Sequence, residues 1–303
     1  MFEKILVTLD GSELAESAIP YVRTLASQLE AEIWLLHVCP PEHQCYIHMH
    51  QMYMNTIADG IRRELNENRP PGRELKVFPA AIVGDSTKII LDYIKLREIN
   101  LAILTTHGTS GFRPWSMGSV ADKIVRGADI PTLLIRIKEQ PSSVEKRGLI
   151  QKILVPLENS EASKIAVPYA MELAKKLHAG IVLFGMARTI YSQNLSNLGV
   201  GVNGGFGVNW DAIDKATEQA TDEFLQAIED NLIKTGVEAS HTVYLGIDPA
   251  AEILEMEKKT GADLVVMATR ARSPAARWVF GSTAERVLRQ GDRPIMFVRE
   301  RQE

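Results

Sequence analysis

A strand that runs into a small, polar, glycine-bearing loop and then into a helix occurs twice in this chain. That repetition constrains the fold more than any single motif does. The first copy is the apolar run Leu101–Leu104, then Thr105, Thr106, His107 and Gly108, and after Gly118 and Ser119 the helical pattern Val120–Arg126. The second runs from Leu264 through Ala268, Arg270 and Ala271 to Gly281 and Ser282, with Trp115 and Trp278 each three places before the closing glycine. Opening strands repeat too, Lys4–Asp10 being echoed by Lys152–Glu158, and so do the closing ones, Pro131–Arg136 and Pro294–Arg299. Such a chain is expected to fold as two like units. Its 303 residues, 45% of them hydrophobic, suffice for two cores.

Within each unit the periodicity is that of an α/β fold. Ile5–Leu9 is a continuous apolar run, as in a parallel strand buried on both faces, and Asp10, Gly11 and Ser12 break it. A helix follows, capped by Ser12, with Pro20 predicting a kink or a late start. Glu32–Val38 is the second strand, completing a right-handed βαβ unit. Strand 75–83, a helix after Asp85, strand 101–104, helix 120–126 and strand 132–137 finish the first half. The second half predicts strands 152–157, 180–186, 237–245, 263–268 and 294–299, and helices 161–177, 211–235, 249–260 and 282–290. The expected architecture is two tandem doubly wound domains, each a five-stranded mostly parallel sheet with helices on both faces. They span 1–138 and 151–303, joined by a polar linker at 139–150 that contains Pro141, Ser142 and Ser143. The last strands, 132–137 and 295–298, are apolar edges expected to pair with one another. About fifteen extra residues of the second half fall in the glycine-rich stretch 194–209, a surface insertion rather than a phosphate loop, because no strand-to-helix junction frames it.

The repeated junction suits an anion. Gly108 and Gly118 let backbone N–H groups approach a ligand, Ser119 is expected to cap the following helix and donate its hydroxyl, and that helix presents its positive end. In a doubly wound sheet, Asp10, Val38 and the Thr105 loop would meet beyond the carboxyl ends of the strands. Asp10 is equally suited to organising the turn before its helix, and the two roles are compatible. His107 could act as a general base, but a lone loop histidine more often packs or hydrogen-bonds. The chain contains no Gly-x4-Gly-Lys-Ser/Thr, and its first βα turn lacks Gly-x-Gly-x-x-Gly, which excludes a P-loop NTPase and a dinucleotide fold.

These residues resemble the universal stress protein family in its tandem form. Nucleotide-binding members carry Gly-x2-Gly-x9-Gly-Ser/Thr after the fourth strand and an Asp closing the first. The first half reads Thr105-x2-Gly108-x9-Gly118-Ser119 with Asp10, one glycine replaced. The second reads Ala268-x2-Ala271-x9-Gly281-Ser282 with Glu158, so two glycines and the aspartate differ. The resemblance implies an adenine nucleotide, ATP or else AMP or ADP, with magnesium as a conceivable companion. It implies a first site at Leu9, Asp10, Val38, Leu104, Thr105, His107, Gly108, Gly118, Ser119 and Val120, with Asp10 on the ribose and backbone beside Val38 on the adenine. A weaker second site would comprise Glu158, Ala268, Arg270, Gly281, Ser282 and Thr283, and the altered glycines point to one nucleotide per chain, in the first half. The implied role is a stress-response sensor or regulator rather than an enzyme, built as an intramolecular pseudo-dimer that could also form a homodimer. The alternative is a scaffold that binds no nucleotide and offers its pseudo-dimer surface to a protein partner.

A net charge of −4 with no Lys/Arg block argues against nucleic acid or an anionic membrane as partner. Met1–Lys4 leads straight into the first strand and no apolar run is long enough to cross a bilayer, so the expected location is the cytosol, with Cys39 and Cys45 as thiols. The segment around His37, Cys39, His43, Cys45, His48 and His50 has soft-metal residue types without a regular ligand spacing. An amphipathic helix packing Met52, Ile57 and Ile61 is the expected reading, with no metal bound.

Overall fold

The computed structural model describes residues 1–106, 117–136, 150–189, 210–269 and 281–299. The first half contains β1 (Lys4–Thr8), α1 (Glu13–Glu16), α2 (Ile19–Leu29), β2 (Glu32–Cys39), α3 (Ile47–Asn66), β3 (Val77–Val83), α4 (Ser86–Leu96), β4 (Leu101–Thr105), α5 (Ser119–Gly127) and β5 (Thr132–Ile135). The second contains β6 (Lys152–Leu157), α6 (Glu161–Lys164), α7 (Ala166–Leu177), β7 (Gly180–Arg188), α8 (Trp210–Lys234), β8 (Ala239–Gly246), α9 (Pro249–Thr260), β9 (Leu264–Ala268), α10 (Ser282–Gln290) and β10 (Ile295–Val298). The expected linker and the insertion at 194–209 fall almost wholly outside the described residues.

The two five-stranded sheets merge into one of ten strands, in the order β3-β2-β1-β4-β5-β10-β9-β6-β7-β8. Every pairing within a half is parallel, and the single pairing between halves, β5 with β10, is antiparallel. Alternation along the strands builds two cores, one on each face. Ile5 and Val7 join the core under α2, α3, α7 and α8, while Leu6 joins the one under α4, α5, α9 and α10. Each core runs through both halves. Pro79 lies in the edge strand β3, where a missing N–H is tolerated.

Pro20 sits in the first turn of α2, so the chain breaks at Ser17 and Ala18 and the helix restarts late. The predicted helix 161–177 breaks in the same way into α6 and α7, with Pro168 in the first turn of the latter. In α3 the expected packing is corrected by phase. Met54, Ala58 and Ile61 are buried, Ile57 packs beside them, and Met52 is 69% exposed. A shift of two residues turns a helical position by about 200°, enough to exchange faces.

At the seam Ile295 faces Leu134, Met296 faces Leu133 and Phe297 faces Thr132, all almost fully buried. The edge that each half would expose alone is thereby closed. An arginine follows each strand and crosses to the other half. Arg136 donates to the carbonyls of Val287 (2.6 Å) and Gly291, at the end of α10. Arg299 donates to the carbonyls of Val125 (2.9 Å) and Arg126, at the end of α5. Burial lowers the Arg136 pKa to about 10, opposed by Glu257 and Asp292, and leaves it charged at neutral pH.

On the outer strand β8, His241 lies between two carboxylates of α8, bonding Glu229 through Nδ1 and Asp222 through Nε2 at 3.1 Å. Burial pulls its pKa down, but the hydrogen bonds from Glu229 and Asp222 outweigh it and the net shift is upward. Only the imidazolium can donate to both partners at once. A group whose folded pKa exceeds its unfolded value stabilises fully below the unfolded value and loses that contribution as pH rises through the folded one. Chemical denaturation of wild type and His241→Asn should therefore differ most below about pH 6.5 and converge at higher pH. A difference that grows as pH rises would contradict the assignment.

Candidate functional site

The parallel strands β1, β2 and β4 end at the same edge of the sheet, and there the first half assembles its predicted residues. Leu9 is buried and bonds the Leu36 carbonyl at 3.0 Å. Gly11 turns the chain with φ +84°, and Asp10 Oδ1 accepts from the Ser12 N–H (3.1 Å) and hydroxyl (2.6 Å). Ser12 in turn caps α1 through the Ala15 N–H. Asp10 therefore organises the turn while keeping its carboxylate half-exposed at the sheet edge. Val38 is half-buried at the end of β2, and Leu104 and Thr105 are buried at the end of β4.

The junction after β4 is pinned at its base, because the Gly118 N–H donates to the Thr106 carbonyl at 2.8 Å. Gly118, not Ser119 as expected, is the N-cap of α5 and supplies no side chain, since Ser119 already stands in the first turn, and the first N–H groups of this helix lie at its positive end. Ser119 is exposed and Val120 half-buried beside it. The backbone itself does not require glycine here: φ is −57°, and among the described residues an added Cβ would meet only the Thr106 oxygen, at 3.5 Å. His107 and Gly108 lie outside the described residues.

His37, read in the sequence only as one of the soft-metal residue types, has a structural role at this edge. It is 4% exposed, its Nδ1 lies 2.8 Å from the Leu9 carbonyl, and its ring stacks on His50 at 4.3 Å. A carbonyl accepts, so Nδ1 carries the proton. Burial lowers the pKa of His37, with the Leu9 bond opposing and His50 assisting, and the ring fixes the end of β1 while neutral. The nearby Cys39 is buried, with its S–H toward the His43 carbonyl at 3.2 Å. Three of the residues that could suggest a soft metal, His37, Cys39 and His50, are engaged in ring stacking and carbonyl contacts. Elemental analysis of reduced protein is expected to show no stoichiometric zinc or copper; a stoichiometric metal lost in His48→Ala/His50→Ala would contradict this.

In the second half Glu158, Ala268, Gly281, Ser282 and Thr283 line one cavity of about 710 Å³, while Arg270 lies outside the described residues. The walls differ from those of the first half. Register equates Leu36 with Phe184, and hence Val38 with Met186, and both larger side chains line the cavity. Glu158 is exposed, and its carbonyl is tied to Ser163 Oγ at 2.5 Å. Among the described residues a Cβ on Gly281 would meet nothing within 4 Å.

Comparison with known proteins follows the same repeat. The sequence model of the universal stress protein family matches residues 1–136 and 205–299. A universal stress protein of Methanocaldococcus jannaschii is 30% identical over 162 residues, covering 52% of this chain and 89% of that protein. One from Mycobacterium tuberculosis is 23% identical over 312 residues, covering 98% of this chain and 96% of its own length. The crystal structure of a universal stress protein from Archaeoglobus fulgidus superposes with a TM-score of 0.71 at 16% identity, covering all of both chains, and shows the same fold. With two matching regions in one polypeptide, this chain belongs to the universal stress protein family.

Proposed function

We propose that this protein binds one adenine nucleotide, ATP foremost, in its first half, and that the bound state is what a partner reads in a stress response. The phosphates would lie on the N–H groups at the start of α5, the ribose at Asp10 and the adenine against the backbone beside Val38. Magnesium would accompany the triphosphate. Binding rather than turnover is the proposed role.

The observation that carries this reading is Gly118. Its conformation suits any residue, its described neighbours leave room for a Cβ, and it stands as an N-cap without a side chain at the positive end of a helix. Gly281 shares these properties, so the choice of half rests on the walls. In the second half the larger Phe184 and Met186 stand where the first half has Leu36 and Val38, and Glu158 carries its carboxylate one methylene further than Asp10 does. Mass spectrometry of the denatured protein is expected to release an adenine nucleotide carried through purification. Protein that neither carries nucleotide nor takes up added ATP would overturn the proposal.

A further inference from the structure

The first half's anion-facing helix is held at its far end by the second half. Arg299, at the close of β10, donates to the carbonyls of Val125 (2.9 Å) and Arg126 in the last turn of α5, and through Nε to Thr269 Oγ1 at 3.2 Å. The last turn of a helix leaves carbonyls without partners inside the helix, and a guanidinium supplies both donors and the charge that its negative end favours. The side chains around Arg299 are Asp129, which draws it, and Arg126, which repels it. Arg126 is itself occupied with Asp122 at 2.9 Å and reaches Glu285 of the second half at 3.8 Å. Thr269 lines the cavity of the second half. One side chain therefore ties α5 to the wall of the other domain.

α5 is nine residues long and bears the candidate phosphate contacts at Gly118, Ser119 and Val120. A short helix behaves as a rigid rod, so fixing its last turn fixes where its first N–H groups aim. We infer that Arg299 is a positioning residue for the nucleotide site of the first half, so that this site is completed across the seam by the second domain. Arg136 is the internal control. It makes the equivalent contact to α10, donating its hydrogen bonds to the Val287 and Gly291 carbonyls rather than to α5. Removing either arginine takes one half-buried guanidinium from the seam, but only the loss of Arg299 releases the helix of the first site.

The inference rests on the nucleotide reading proposed above, and the test separates the two. ATP and adenosine are titrated calorimetrically into the full-length wild type, Arg299→Ala, Arg299→Lys and Arg136→Ala, with thermal unfolding recorded for each. Arg299→Ala is expected to lower ATP affinity about tenfold while adenosine changes by less than about twofold, because the helix end addresses phosphates and not the base. Arg136→Ala should leave both ligands within about twofold of wild type despite a similar thermal destabilisation. Arg299→Lys keeps the charge but not the fork and should fall between, and it serves as the test if Arg299→Ala does not fold. Wild type that binds no ATP overturns the nucleotide reading and this inference with it. Wild type that binds ATP, together with unchanged affinity in the Arg299 variants, an equal loss in Arg136→Ala, or an equal loss for adenosine, overturns the inference alone.

Discussion

Replacing Gly118 by Val is expected to lower ATP affinity more than about a hundredfold, while Gly281→Val leaves it within about twofold. A β-branched side chain at the N-cap of α5 occupies the space through which backbone N–H groups would reach a phosphate. Losing two hydrogen bonds to a charged ligand costs about 3–6 kcal/mol in all. The fold should tolerate the change. Gly118 has φ −57° and among the described residues an added Cβ meets only the Thr106 oxygen at 3.5 Å, so the stability cost is of the order of 1 kcal/mol, that of a poor N-cap residue. Thermal unfolding would separate a lost site from a lost fold. The pair of variants carries its own control, since Gly281 occupies the matching place in the second half. Loss of binding in Gly281→Val with retention in Gly118→Val would reverse the assignment of halves.

A charge in the seam should have the largest effect on stability. Leu134 and Met296 are both fully buried in β5 and β10, where the two halves share one sheet. Leu134→Asp or Met296→Asp removes about 2 kcal/mol of apolar burial and places a carboxylate where no water solvates it. The expected cost is more than about 4 kcal/mol, a large part of the stability of a typical domain. Denaturant unfolding should show a markedly lower midpoint, and limited proteolysis should cut between the halves at protease concentrations that spare the wild type. Variants that kept both solubility and protease resistance would show that the seam does not hold the halves together.

Much of this architecture is legible in the sequence because strands buried on both faces read as continuous apolar runs. Ile5–Leu9 and Leu101–Leu104 are such runs, and β1 and β4 fall on them. Pro20 marked a restart that the structure places in the first turn of α2. The phase of α3 was harder, since Met52 and Met54 are alike in composition and only the packing against β2 and β3 decides which turns inward. At the candidate site, the glycines and Asp10 were readable as a pattern, whereas His37 was not. Its role depends on the Leu9 carbonyl, a neighbour across the sheet rather than along the chain. The arginines were visible as matching ends of the two repeats, Pro131–Arg136 and Pro294–Arg299, but their partners lie more than 150 residues away. Phe184 and Met186 carry a signal that aligning the repeats strand by strand exposes, because Thr8 pairs with Leu36 as Pro156 pairs with Phe184.

The most direct test of the account is the stoichiometry of ATP binding to the unmodified full-length protein, stripped of any carried nucleotide and titrated by calorimetry. The repeat offers two junctions, and the account assigns binding to the one with Asp10, Val38 and Gly118. A single site per chain is the predicted result, abolished by Gly118→Val. Two equivalent sites per chain, or one site that survives Gly118→Val, would contradict it.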